Sequence, residues 1–351
     1  MTDKRSSWTN GDVLYGDDLA DSIYANRWFK VLNRTDVDVA TVGVVGHSST
    51  HYSVIGTDGD IWVTTDSGTN WTEKNTTFTT KSAIVPVIAD RTYGIAIDAD
   101  DTSNAASAYT SDSGVTWSNG GAVGNDNYVN DLSAPTTTLA VCCTDNNITN
   151  DNIYRSTDNG ANWAAASTSP NVDVVALNMF DGTTGYATDI DDNIWKTTDS
   201  GDNWVDTGND ISGTEEGDTI CCLSATTALI TLRGSGYVYL YDDTANTTTL
   251  VLDWGTTTDA GYPTHFVKAV NNFIYFAVLN TSDIVARPSA LYRTTDGLVW
   301  EIMTLPYSGE AEAGGTNNYT KYFISEGADN EILLLGSSVS SASPLFKIIE
   351  R

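Results

Sequence analysis

Positive charge is scarce in this sequence: 17 Lys and Arg stand against 46 Asp and Glu in 351 residues, a net charge of −29. Such a surface repels nucleic-acid phosphates and anionic lipid headgroups, which disfavours nucleic acid and membranes as partners. Long hydrophobic runs are missing. No stretch approaches the about 18 apolar residues of a membrane-spanning helix, so membrane insertion is not expected. Residues 1–16 lack the apolar centre of a secretory signal. Runs of Ala, Leu, Glu and Lys that would build long helices are also absent. Cysteine is sparse, with Cys142–Cys143 and Cys221–Cys222 as two adjacent pairs. Neither pair has metal-site spacing, and His47, His51 and His265 show no pairing pattern, which disfavours zinc chemistry. Both cysteine pairs lie in apolar strand-like runs and read as buried free thiols, with a vicinal disulfide as the other reading.

Thr, Ser, Asp, Asn and Gly dominate instead, the composition of short strands joined by tight turns. Hydrophobic residues make up 40% of the chain and aromatics 10%, enough for a sizeable core. The excess of Asp over Lys suits a protein hydrated in concentrated salt and points to a halophilic source. The plainer reading is that these turns simply need Asp.

One phrase repeats: Thr64-Thr-Asp-Ser-Gly-Thr-Asn-Trp71, Thr110-Ser-Asp-Ser-Gly-Val-Thr-Trp117, Ser156-Thr-Asp-Asn-Gly-Ala-Asn-Trp163 and Thr197-Thr-Asp-Ser-Gly-Asp-Asn-Trp204. A shorter copy runs Thr294-Thr-Asp-Gly-Leu-Val-Trp300. Its chemistry is that of a hairpin turn. The Asp carboxylate and the Ser/Thr hydroxyl accept from nearby backbone N–H groups, and Gly supplies a positive φ. Asp66, Asp112, Asp158, Asp199 and Asp296 are therefore expected to be structural. Trp28, Trp71, Trp117, Trp163, Trp204, Trp254 and Trp300 recur every 41 to 50 residues. That is the length of one four-stranded propeller blade. The spacing predicts an all-β, seven-bladed β-propeller over residues 27–351. Around Tyr241-Asp-Asp-Thr-Ala-Asn the phrase has decayed. Arg27–Leu32 reads as an outer strand with no turn before it. The runs from Glu331 and Leu345 read as inner strands of a last blade, so the N-terminal strand would close the ring.

The phrase resembles the Asp-box (BNR repeat) of sialidase-like and sortilin-like propellers. The resemblance implies that it joins the third and fourth strands of each blade. The opposite face then carries the polar loops 57–60, 98–101, 144–147, 189–193 and 280–283, and varied loops are where propellers place function. A sialidase would need three arginines, a Tyr–Glu pair and an acid/base Asp. Arg34, Arg233 and Arg287 approach that face, yet no Tyr–Glu pair and no Arg-Ile-Pro-like signature accompany them. No catalytic residues are assigned. Asp189, Asp191 and Asp192 supply the oxygen ligands of a Ca²⁺ or Na⁺ site, but no EF-hand pattern follows, and a solvated turn explains them as well. No other cofactor is expected.

Residues 1–26 stand outside the ring. Trp8-Thr-Asn-Gly-Asp-Val-Leu-Tyr-Gly-Asp-Asp-Leu-Ala-Asp21 is similar to the N-terminal docking segments of phage tail-fibre and baseplate proteins. Asp17 or Asp18 would cap a short helix over 20–25. The alternative is a plain untethered tail. Together these features imply a non-enzymatic structural protein of a virion surface or extracellular setting. It would be bound to other virion proteins through residues 1–26, in one copy or as a homo-oligomer, and would attach to a host cell-surface glycan or protein. The alternatives are a carbohydrate-active enzyme of sialidase-like type, in which case a glycoside hydrolase, and a protein-interaction scaffold.

Overall fold

The structure, a computed structural model, describes residues 27–32, 41–56, 59–74, 78, 82–87, 89–98, 105–124, 129–144, 152–211, 217–232, 237–253, 262–263, 267–268, 273–279, 290–304, 322–326, 331–336 and 345–350. Every regular element among them is a strand. Sheet 1 holds Thr41–Gly46, Tyr52–Gly56, Ile61–Thr64 and Thr72–Lys74. Sheet 2 holds Ser82–Pro86, Gly94–Asp98, Ala105–Thr110 and Ser118–Val123. Sheet 3 holds Val129–Ser133, Ala140–Thr144, Ile153–Ser156 and Ala164–Ala165. Sheet 4 holds Val174–Met179, Gly185–Asp189, Asn193–Thr197 and Val205–Asp210. Sheet 5 holds Gly217–Ser224, Thr227–Leu232, Tyr237–Asp242 and Thr247–Asp253.

Sheet 6 is irregular. Tyr262–Pro263 and Val267–Lys268 both pair with Ile274–Leu279, which continues to Ala290–Thr294 and Glu301–Thr304. Sheet 7 joins Tyr322–Glu326, Glu331–Gly336 and Leu345–Glu350 to the N-terminal strand Arg27–Leu32. Arg27 lies opposite Glu350 and Leu32 opposite Leu345.

The expectation of a seven-bladed propeller is corrected here to six regular blades. Among the described residues the regular four-stranded sheet occurs six times; Tyr262–Pro263, Val267–Lys268, Ile274–Leu279, Ala290–Thr294 and Glu301–Thr304 form a five-stranded sheet instead. Two short pieces, Tyr262–Pro263 and Val267–Lys268, stand where the regular sheets have one inner strand, and Pro263 has no N–H to give to a ladder. Residues 1–26, the expected helix and Trp254 lie outside the described residues.

The sheets pack face to face in chain order. Inner strands of neighbours meet from sheet 1 to sheet 5, and sheet 7 touches sheets 1 and 6. Second strands are sandwiched on both sides, so Tyr52–Gly56, Gly94–Asp98, Ala140–Thr144 and Gly185–Asp189 are buried throughout. This is why they read as short continuous apolar runs. Each repeat Trp enters the core shared with the preceding sheet. Trp71 packs with Leu333, Trp117 with Val45 and Ile55, Trp163 with Ile95, and Trp204 with Val141; Trp300 joins Leu229. Between sheets 4 and 5 Tyr241 takes that place. Adjacent strand residues point to opposite faces. Accordingly Cys142 and Cys143 enter different cores, as do Cys221 and Cys222. All four cysteines are buried and none is in a disulfide.

Candidate functional site

The repeated phrase forms a closed hydrogen-bonded turn between third and fourth strands. Asp66 Oδ1 accepts from Thr64 Oγ1 at 2.8 Å and Asn70 N at 2.9 Å, and Oδ2 accepts from Asn70 Nδ2 at 2.6 Å. The same three-point grip joins Asp112 to Thr110 and Thr116, Asp158 to Ser156 and Asn162, and Asp199 to Thr197 and Asn203. Asp296, in the shorter copy, instead takes the N–H groups of Leu298 and Val299 at 2.8 and 2.9 Å. These donors stabilise the ionised carboxylate. The Asn70 amide holds Asp66 down to about 2. Asn162 lowers Asp158, and the Val299 N–H lowers Asp296. At Asp112 and Asp199 partial burial pushes upward, but the bonds from Thr116 and Asn203 outweigh it.

A second motif, not evident from the sequence alone, braces the four full-length turns and one more. Ser48-Ser-Thr50, Asp90-Arg-Thr92, Thr136-Thr-Thr138, Asp181-Gly-Thr183 and Ser224-Ala-Thr226 join first to second strands. The side-chain oxygen of the first residue accepts from the N–H of the Thr two positions on. The Thr carbonyl then accepts from the residue after the turn Asp, namely Ser67, Ser113, Asn159, Ser200 and Asp243. The series reveals Asp242 as a further turn aspartate. It binds the N–H groups of Thr244 and Ala245, as Asp296 does with Leu298 and Val299. The available signal was a Ser, Thr or Asp two before a Thr, 18 or 22 residues ahead of the turn Asp.

Arg34, Arg233, Arg287 and His265 lie outside the described residues. Asp189 is fully buried. Its Oδ1 accepts from the N–H groups of Asp191 and Asn193, at 3.0 and 2.9 Å. Its Oδ2 accepts from Trp195 Nε1 at 2.7 Å and Asn193 Nδ2 at 3.0 Å. Asp192 carries a φ of 68° in the same turn. A cation at these oxygens would meet donor hydrogens, so this donor set does not fit Ca²⁺ or Na⁺. Among the described residues no group of three His, Cys, Asp or Glu is placed to hold a metal ion. Arg155 reaches Asp202 at 3.2 Å, and Arg293 Nε donates to Glu301 at 2.7 Å. His51 Nδ1 lies 3.0 Å from Ser48 Oγ.

Inner strands are tied to one another by side chains. Asp131 Oδ2 accepts from Leu177 N, Ser133 Oγ from Met179 N, and Asn178 Oδ1 from Cys222 N. Four inner strands also shift register at their second residue, between Thr41 and Gly43, Val129 and Asp131, Val174 and Ala176, and Gly217 and Thr219. A bulge at a strand entry re-aims one side chain. Here it does so at the end opposite the repeat turns, on sheets 1, 3, 4 and 5.

The fold is a β-propeller. No family model matches the chain, and no curated protein sequence does. Solved structures match it across most of its length. One is YCF48 bound to D1 peptide, at 14% identity, covering 94% of this chain and 96% of that one with a TM-score of 0.63. Virginiamycin B lyase from Staphylococcus aureus is 11% identical, covering 93% and 100% with a TM-score of 0.67. The GH74 xyloglucanase from Xanthomonas campestris is 13% identical over 90% of this chain but 44% of its own, with a TM-score of 0.59. At such identities the likeness carries the fold alone.

Proposed function

We propose that the chain is a non-enzymatic attachment protein of a virus-particle surface. Residues 1–26 dock it to other virion proteins, and the propeller meets a glycan or protein of the host cell surface. The supporting observation is where the N-terminal strand begins. In the regular sheets the third strand ends at a repeat turn. In sheet 7 it ends at Glu350, and Arg27 starts the outer strand beside it. The chain therefore arrives from residues 1–26 at the repeat-turn end. Fixing that segment to a particle turns the opposite end outward, with its bulged strand entries and sheet-to-sheet connections. The turn carboxylates and Asp189 are engaged by their own loops, which suits a scaffold better than acid–base catalysis. Deleting residues 1–26 should leave a folded chain that no longer appears on particles under immunogold electron microscopy. Persistent label on particles would sink the docking role, and label confined to cells would sink the virion setting.

A second reading is a protein-interaction scaffold. It is favoured by the likeness to YCF48 bound to D1 peptide over 96% of that chain. Co-purification with a soluble folded partner, in place of particles, would support it. Turnover of fluorogenic sialosides or neutral glycosides, lost in Arg233→Ala or Arg287→Ala, would favour an enzyme instead.

A further inference from the structure

Seven Asn-x-Ser/Thr sequons occur, at Asn33, Asn70, Asn75, Asn147, Asn246, Asn280 and Asn318. Asn70 and Asn246 lie among the described residues, and they hold the same place in the repeat, four residues after Asp66 and Asp242. Their side chains differ. Asn70 Nδ2 is bound to Asp66 Oδ2 at 2.6 Å. Asp242 spends its Oδ1 on the N–H groups of Thr244 and Ala245, so it does not grip Asn246. Asn246 instead sits at a φ of 51° at the tip of an exposed turn. Its Oδ1 takes a 3.4 Å bond from Asn209, and its Nδ2 has no hydrogen bond among the described residues. Thr248, the hydroxyl residue of the sequon, donates to the Asp210 carbonyl at 3.2 Å, a surface bond that water can replace.

We propose that Asn246 is an acceptor for an N-linked glycan and that Asn70 is not. In the transfer, Nδ2 forms a bond to the anomeric carbon of a polyprenyl-phosphate-linked sugar. The phosphate leaves with the electrons of the sugar–oxygen bond, and the amide gives up one proton. The neighbouring strand supplies a use for the modification. Thr247–Asp253 is the outer strand of sheet 5, and positions 247–252 carry no charge, Gly or Pro. Leu250 is 45% exposed on it, and the pairing is interrupted once, at Val251. The other outer strands of sheets 1 to 6 carry a charge, a glycine pair or only two residues. An uncharged edge is a template for pairing with another chain, and a glycan at its first turn covers it.

Peptide mapping by mass spectrometry of the full chain from its source tests this. The expected result is an oligosaccharide mass on the Asn246 peptide, absent in Asn246→Gln, with Asn70 bare. A bare Asn246 overturns the proposal, and so does an occupied Asn70. The native chain alone gives the decisive readout, so it does not depend on the variant folding.

Discussion

His47 Nδ1 lies 2.9 Å from the Arg91 carbonyl oxygen, and its Nε2 lies 3.0 Å from Ser53 Oγ. A carbonyl can only accept, so Nδ1 carries the proton and Nε2 accepts from the serine. The ring is buried, edge-on to Trp117, and it fastens the first turn of sheet 1 to sheet 2.

That geometry makes stability depend on pH. Burial, helped by the His51 and Arg91 charges, holds His47 down to about 4 from an ordinary 6.5, against the Arg91 carbonyl bond and the Asp112 charge, which raise it. The unfolded chain thus takes up a proton before the folded one. The stabilisation is complete above pH 6.5 and is lost as pH falls toward 4, by about 3 kcal/mol in total. Urea midpoints at pH 7 and pH 4.5 should differ accordingly, and His47→Gln should remove most of the difference. An unchanged pH dependence in the variant would show that other groups carry it.

Close approach between sheets gives a second expectation. A Cβ on Gly120 would stand 2.3 Å from both the Gly160 carbonyl oxygen and Ser107 Oγ, breaking the bond by which Ser107 holds that carbonyl. A Cβ on Gly208, at a φ of 71°, would meet nothing within 4 Å. Gly120→Ala should therefore cost about 1–3 kcal/mol through overpacking. Gly208→Ala should cost about 1 kcal/mol through its backbone conformation alone. Denaturant melts of the two variants check the order.

The repeat turns were legible because Ser/Thr, Asp, Gly and Trp each perform one local task at a fixed spacing. The braces at Thr50, Thr92, Thr138, Thr183 and Thr226 were hidden, because the backbone carbonyl does the bonding and any residue supplies one. Around Asp242 the phrase reads as decayed because the turn lost the Gly and the Trp, yet it keeps the working carboxylate. The two-piece inner strand of sheet 6 is hidden because Trp spacing reports the length of a repeat and not its pairing. Arg34, Arg233 and Arg287 share only a loop position in the sequence, which says nothing of where side chains converge.

Lys196 and Asp243 form a 2.7 Å ion pair from sheet 4 to the altered turn of sheet 5, with both side chains about a quarter exposed (23% and 24%). Partial exposure limits such a pair to about 0.5–1 kcal/mol, and salt screens it. Lys196→Met should lower the melting temperature in dilute buffer and match the parent in concentrated salt. A salt-independent loss would assign the effect to the Lys196 ammonium over the Tyr186 ring, 5.6 Å from its centroid.

Asp181 tests the hidden brace directly. It accepts from the N–H groups of Thr183 and Thr184, each at 2.7 Å, and from Thr183 Oγ1 at 2.8 Å. Partial burial pushes its carboxyl up, but these bonds hold it below the ordinary 3.8. Its folded value is depressed, so its contribution is present above pH 3.8 and is lost as pH falls below that. The bonds fix the carbonyl of Thr183, which receives the Ser200 N–H at 3.0 Å. Asp181→Ala should cost about 1 kcal/mol at neutral pH, the scale of a lost turn cap. It should also speed hydrogen exchange at the Ser200 amide, while the Ser113 amide, braced through Asp90 and Thr92, keeps its protection. Equal exchange at both positions would show that the Ser200 turn is held by its own aspartate and does not need the brace.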